Sequence, residues 1–152
     1  IVTRTILEDV LDKDGIDIRQ GDILMLRTGY AEALTEMQDA PDPEHLQHRV
    51  GAVLDGTDAA LHEWITDSRI AAIAADNYAV ENPHTDPHAC CLRLPLHHHC
   101  LFKLGLPLAE LWYLRDLATA LETAGRHSAF LTAPPLYLPG AIGSPVTPVA
   151  TI

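Results

Sequence analysis

Residues 96–110, LHHHCLFKLGLPLAE, contain the side chains of this chain that are best suited to chemistry. Three adjacent histidines lie in an apolar run that ends at Glu110. Imidazole and carboxylate groups both bind divalent metals. The alternative is a set of surface and semi-buried histidines in a chain that has nine. The triplet alone favours this alternative, because a metal site needs several ligands that converge.

Helix geometry separates the three histidines. The pattern predicts a helix over residues 95–104, and consecutive helical residues point about 100° apart. His97 lies on one stripe with Leu94 and Leu101 and is expected to face inward, whereas His99 points most nearly to solvent. In the first helical turn the dipole disfavours imidazolium, and a metal requires the neutral ring.

Glu110 lies within an apolar stretch, next to Leu111 and Trp112. A carboxylate is costly to bury unless it is paired or binds a cation. Glu110 is therefore either a buried ligand or a residue at a strand edge that points to water. The residues themselves leave both interpretations open.

A further polar group follows the predicted buried strand over residues 69–76. It consists of Asp76, Asn77 and Glu81. Ligands of α/β sheets bind beyond the carboxyl ends of the strands, so these residues are candidates for a substrate pocket. Ordinary turn chemistry is the alternative, since Asp and Asn are common in turns.

Helices and buried strands alternate along the chain, which predicts an α/β (α+β) fold around one mixed sheet. No linker divides the sequence, so a single domain over residues 1–152 is expected. The predicted helices cover residues 6–14, 56–66, 95–104 and 114–124, and the strands lie at 23–26, 69–76 and within 128–138. Residues 38–48 are a predicted surface loop, and residues 81–91 are a long loop in which His84 and His88 are expected at the surface.

Composition limits the function further. The formal net charge is −11 with ten scattered basic residues, which argues against a nucleic-acid partner. The apolar runs are far shorter than the roughly 20 residues that cross a bilayer, so no membrane partner is expected. Three crowded cysteines do not make a disulfide framework. A reducing, cytoplasmic location is therefore predicted.

The order of four segments carries a family resemblance. They are GDILMLRTGY; HEWI followed by RIAAIAADNYAVE; LHHHCLFKLGLPLAELWYLRDLA; and FLTAPPLYLPGAIGSPVTPVA. In this order they resemble the cyclase family of kynurenine formamidase-like and isatin hydrolase-like metal-dependent hydrolases. The resemblance extends from about residue 21 to the end of the sequence.

The resemblance implies a swivelling β/β/α fold in a homodimer or homotetramer. It also implies a divalent metal, zinc or manganese, that activates water to hydrolyse an amide, lactam or lactone bond in a small molecule. The family pattern places metal ligands at His97 and Glu110, or at His98 if the alignment shifts by one residue. It places Asp76, Glu81 and His98 near the substrate pocket.

One departure from the family pattern is large. The motif His-x-Gly-Thr-His-x-Asp-x-Pro-x-His, which supplies most of the family's metal ligands, does not occur in the sequence. The chain is therefore expected to cover the C-terminal part of the fold, without an N-terminal segment. Two ligands are fewer than the three that a catalytic site takes from protein, so this chain alone is expected to be inactive. The alternative is a non-catalytic small-molecule-binding or assembly subunit on the same fold.

Overall fold

A three-stranded parallel sheet lies at the centre of the first of two compact units. The computed structural model describes residues 1–82 and 93–152, without the side chains of residues 47–49. The units are Ile1–Leu114 and Arg115–Ile152. In the first unit the strand order is β1 (Ile23–Leu26), β2 (Ala72–Ala75), β3 (Leu108–Ala109). The prediction of one domain over the whole chain stays a prediction.

The parallel pairing brings three chain segments to one edge of this sheet. Leu24 pairs with Ile73, and Ile73 pairs with Leu108. Because parallel strands all end at the same edge, the residues that follow them become neighbours. Asp76 follows β2 and Glu110 follows β3. The predicted strands over 23–26 and 69–76 are confirmed, the second in a shorter form.

Two helices of the first unit are joined by a single carboxylate. Helix α1 is Arg4–Asp14 and helix α4 is Ala59–Ser68. The Asp58 side chain accepts a hydrogen bond from the Ala60 amide at 2.9 Å and another from the Arg4 amide at 2.8 Å. These amides lie in the first turns of α4 and α1, where backbone donors have no helical acceptor. Asp58 therefore caps both helices.

The core of this unit lies between the sheet and these helices. Its apolar residues approach the sheet from α1, from α4 and from the segment after Pro95. The central residues include Leu7, Leu54, Leu61, Ile65, Ile73, Val80, Leu96 and Cys100. Burial raises the pKa of the Cys100 thiol to about 12, so this cysteine is an apolar core residue.

The predicted loop over residues 38–48 is wrong in its second half. Helix α2 is Tyr30–Glu36 and is followed by helix α3, Pro43–Arg49. Asp42 accepts from the His45 amide at 3.0 Å, and Pro43 occupies the first helical position. An acidic N-cap followed by proline is a helix-start signal, and it outweighs the density of proline in this stretch.

The predicted helix over 95–104 has the expected extent but two geometries. Helix α5 is Pro95–His97, and a π-helical segment follows over His98–Leu104. Gly105 ends it with φ 66°, a left-handed conformation that glycine adopts without steric cost. The wider turn of a π-helix is rare and occurs frequently at functional sites.

The second unit contains one helix and an antiparallel pair. Helix α6 is Arg115–Ala124, and β4 (Phe130–Thr132) pairs with β5 (Val149–Thr151). The predicted helix and strand of this region are confirmed, whereas β5 was not among the predicted strands. Parallel and antiparallel pairs thus occur in two sheets, and the mixed α/β class is confirmed.

His84 and His88, placed in a surface loop, lie outside the described residues. Among the helices that the structure describes, none is long and apolar enough to cross a membrane.

Candidate metal centre

The His97 ring lies between two carboxylates. Its Nδ1 is 2.8 Å from Oε1 of Glu81, and its Nε2 is 3.1 Å from Oε1 of Glu110. The side-chain exposures are 0% for Glu81, 19% for His97 and 32% for Glu110, so the cluster opens to solvent on the Glu110 side. The imidazole and carboxylate that the sequence pairs as ligands are therefore in contact.

Glu81 holds the start of helix α5. Its Oε2 accepts from the Leu96 amide at 2.9 Å, and its Oε1 accepts from the His97 amide at 2.8 Å. Amides of a first helical turn have no acceptor within the helix, so they donate favourably to a carboxylate. A Cβ added to Gly56 would lie 1.7 Å from Oε2 of Glu81. Only glycine at position 56 therefore leaves room for the carboxylate.

A tight loop connects β2 to Glu81 and also holds Glu110. The Asn77 side chain accepts from the Val80 amide at 3.1 Å. Ala79 and Val80 have φ values of 69° and 58°, which non-glycine residues rarely adopt. This conformation directs the Ala79 amide to Oε2 of Glu110 at 3.1 Å. Strain of this kind persists where the surrounding contacts hold it in place, and here it positions a carboxylate.

The contacts of His97 define its protonation. A carboxylate only accepts hydrogen bonds, so Nδ1 must carry a proton to bond Glu81. In the neutral ring Nε2 then presents a lone pair to Glu110, another acceptor. Two acceptors repel each other at this distance unless a positive charge lies between them. The hydrogen bond to Glu81 and the nearby Glu110 accordingly raise the pKa of His97, against the opposing effect of burial.

This geometry suits a divalent cation as well as a proton. Two N and O ligands, each about 2.1 Å from a metal, lie roughly 3.0–3.4 Å apart across the angles of common coordination polyhedra. The separation between His97 Nε2 and Glu110 Oε1 is 3.1 Å. A carboxylate behind the other ring nitrogen is the usual second partner of a metal-binding histidine. The donor set therefore fits a divalent metal.

The comparison with known proteins identifies the family. The family model "Cyclase", described as "Putative cyclase", matches residues 1–82. A solved structure described as "Crystal structure of a novel cyclase" is 36% identical over 99% of this chain, with a TM-score of 0.77. The chain belongs to the cyclase family. The resemblance drawn from the order of its segments is confirmed.

Other cyclase-like structures share the fold. A "potential metal-dependent hydrolase with cyclase activity" is 20% identical over 98% of this chain and 57% of its own, with a TM-score of 0.62. Isatin hydrolase A from Ralstonia solanacearum is 18% identical over 98% of this chain and 52% of its own, with a TM-score of 0.66. The chain covers 47% of the 36%-identical structure, so it spans about half the length of these proteins. None of the curated protein sequences compared with it matches.

The other two histidines of this cyclase-family segment do not join the cluster. The His98 ring stacks on exposed Phe102, with the ring centroids 5.1 Å apart. The prediction that His99 points to solvent is wrong: its ring stacks on His62 at 4.4 Å, and its Nε2 lies 3.0 Å from the Thr66 hydroxyl. The π-helical turn begins at His98, so the 100° steps of an α-helix do not apply there. The contacts therefore favour His97 over His98 as the ligand.

Asp76 links two strand ends. Its Oδ1 accepts from the Thr28 amide at 2.8 Å and from the Thr28 hydroxyl at 2.7 Å, while its Oδ2 accepts from the Gly29 amide at 2.8 Å. The side chain is completely buried. Asp76 thus fixes the segment after β1, and its role in a substrate pocket stays a prediction. Thr28, a polar residue just after the end of β1, is the feature of the sequence that could have indicated this contact.

Three site features were not found from the sequence. They are the space at Gly56, the hydrogen bond from Ala79 and the direct contact between Glu81 and His97. Glu81 was predicted only as a pocket residue. Each feature depends on backbone positions brought together by the fold, and no residue type reports it in advance.

Proposed function

We propose that this cyclase-family chain forms part of a metal-dependent hydrolase that cleaves an amide, lactam or lactone bond in a small molecule. One observation carries the proposal. Nε2 of His97 lies 3.1 Å from Oε1 of Glu110, while Nδ1 lies 2.8 Å from Oε1 of Glu81. This is the arrangement of a histidine and a carboxylate that share a cation.

His97 and Glu110 would hold the metal. When bound, a divalent metal lowers the pKa of water toward 7 and polarises a carbonyl group. The chain's own residues orient the ligands: Glu81 fixes the His97 ring, and the Ala79 amide occupies Oε2 of Glu110, which directs Oε1 toward Nε2. Glu110 remains one-third exposed, so solvent reaches this side.

The remaining ligands would come from elsewhere in the protein. Within residues 1–82 and 93–152 there is no group of three or more His, Cys, Asp and Glu side chains able to hold a metal. A catalytic site usually takes three ligands from protein, and the 36%-identical cyclase structure is about twice as long as this chain. We therefore propose that the complete site, and the activity, need further residues of the full-length protein.

Several finer points belong to the same proposal. Zinc and manganese both accept nitrogen and oxygen ligands, so either is compatible with the pair. Asp76, Glu81 and His98 are proposed to border the substrate pocket. A homodimer or homotetramer in the cytoplasm, acting on a small molecule, stays the expected setting.

Metal analysis of the full-length protein tests the ligand pair. His97→Ala and Glu110→Gln should each lower the bound zinc or manganese per chain, while the neighbouring His98→Ala should leave it unchanged. The same proteins should be assayed with formyl-amides, lactams and lactones. Unchanged metal content in both ligand variants would remove the pair from the site. Metal-independent ligand binding without turnover would instead establish the binding-subunit alternative.

A further inference from the structure

We propose that Glu81 is a positioning residue that fixes the tautomer of His97, so that the Nε2 lone pair is presented toward Glu110 and its cation. The role of the cation rests on the proposed function. The tautomer itself does not, because it follows from contacts that contain no metal. Glu81 is fully buried, so its carboxylate has protein partners rather than solvent around it.

The Glu81 carboxylate forms hydrogen bonds with both the backbone and the ring of His97. Oε1 of Glu81 accepts from both the backbone amide and Nδ1 of His97, each at 2.8 Å. One oxygen thereby sets the backbone and the ring of the same residue. Rotating the ring by 180° would replace the Nδ1–H donor with a carbon and leave a buried carboxylate oxygen short of a partner, which is costly.

The Glu81 carboxylate is itself held in position, by the Leu96 amide on one side and by its close approach to Gly56 on the other. The Leu96 amide donates to Oε2 at 2.9 Å, and Oε2 lies where a side chain at position 56 would begin, 1.7 Å from an ideal Cβ. The contact therefore requires glycine at position 56. Gly56 and Glu81 together form a support for His97, and the Glu81 side chain is fully buried.

Removal of the Glu81 carboxylate should move the ring proton of His97 from Nδ1 to Nε2. Without Glu81, the acceptor that the described residues place next to the ring is Oε1 of Glu110, 3.1 Å from Nε2. The neutral ring would then carry its proton on Nε2 and donate to Glu110. The lone pair would lie on Nδ1, facing the interior, and the ring could no longer bind a cation beside Glu110. Loss of such a supporting carboxylate typically weakens metal affinity about 10–100-fold.

The first test is nitrogen-15 NMR of His97 in the full-length, metal-free protein, at a pH where the ring is neutral. The wild type should show the proton on Nδ1, Glu81→Met should show it on Nε2, and Glu81→Gln, whose amide oxygen still accepts, should restore Nδ1. A wild-type proton on Nε2, or the same tautomer in wild type and Glu81→Met, overturns the inference. The wild-type spectrum alone shows which nitrogen of His97 carries the proton, so the inference is tested even if Glu81→Met does not fold.

The second test is metal affinity, measured by chelator competition with zinc and with manganese. Gly56→Ala displaces the carboxylate without changing its chemistry and should weaken binding about 10–100-fold, as Glu81→Met should. Gly143→Ala is the matched control, because nothing lies within 4 Å of its added Cβ. Wild-type affinity in Gly56→Ala and Glu81→Met would refute the positioning role while leaving the metal proposal intact. A wild type that binds no metal but shows the tautomer switch would refute the proposed function alone.

Discussion

At the scale of single residues, the site depends on a few buried side chains whose polar groups form hydrogen bonds. Glu81 is fully buried, and both of its oxygens accept hydrogen bonds. Asn77 is 2% exposed; its amide nitrogen donates to the Ala52 carbonyl at 2.7 Å, and its oxygen accepts from Val80. Loss of one partner in such a setting costs more than an average hydrogen bond, because the other group stays buried and unpaired.

Asn77→Ala should therefore destabilise the protein by about 2 kcal/mol. The substitution removes both hydrogen bonds and releases two residues held at positive φ, Ala79 and Val80. Urea unfolding of the wild type and the variant measures the change. Asn82→Ala, at a neighbouring exposed position, is the control and should stay within about 0.5 kcal/mol of wild type. Equal stability of the two variants would contradict the role given to Asn77.

At the scale of elements, short backbone signals decide where helices start. Thr3 accepts from the Ile6 amide at 3.5 Å at the start of α1, and Asp42 and Asp58 cap α3 and α4. Such signals are readable in sequence, and the helix at Pro43 could have been found from its Asp-Pro start. The π-helical segment over His98–Leu104 could not have been found from such signals. Its wider turn is a rare geometry, and local propensity carries little information about it.

Asp58→Ala should lower stability by about 1–2 kcal/mol, because one carboxylate caps two helices. The hydrogen bond from the Arg4 amide is the largest cause that lowers the pKa of Asp58. A carboxylate with a lowered pKa stabilises the folded state above its unfolded pKa of about 3.9 and loses this effect as the pH falls through the folded value.

Urea unfolding at neutral pH and at successively lower pH checks this prediction. The stability difference between wild type and Asp58→Ala should be largest near neutral pH and should shrink in acid below the unfolded pKa. Asp39→Ala removes the same charge from an exposed loop and should have little effect at any pH. A difference independent of pH would contradict the assignment to the carboxylate.

At the scale of the whole molecule, the two units differ in how much they bury. The hydrophobic core lies within Ile1–Leu114, whereas no residue from 115 to 152 is buried. Folding requires buried apolar area to offset the loss of conformational entropy. The second unit is also below the size of about 40 residues at which chains fold without added supports.

A peptide of Arg115–Ile152 should therefore show no cooperative thermal transition by circular dichroism. Helix α6 should be largely unfolded in it, because an isolated helix of this length is marginal in water. The complete chain, measured under the same conditions, is the control and should unfold cooperatively. A sharp transition in the peptide would show that this unit carries a core of its own.

The sequence by itself determined the family and the alternation of helices and strands, and through the family resemblance it indicated Glu110 together with His97, or with His98 as the alternative. These properties depend on residue order and hydrophobic period, and both can be read directly from the amino-acid sequence. Only the tertiary structure decided that Glu81 supports His97, that Gly56 makes room for it, and that Ala79 orients Glu110. These contacts join segments far apart in the chain, and their distances are fixed by the parallel sheet, which no local pattern encodes.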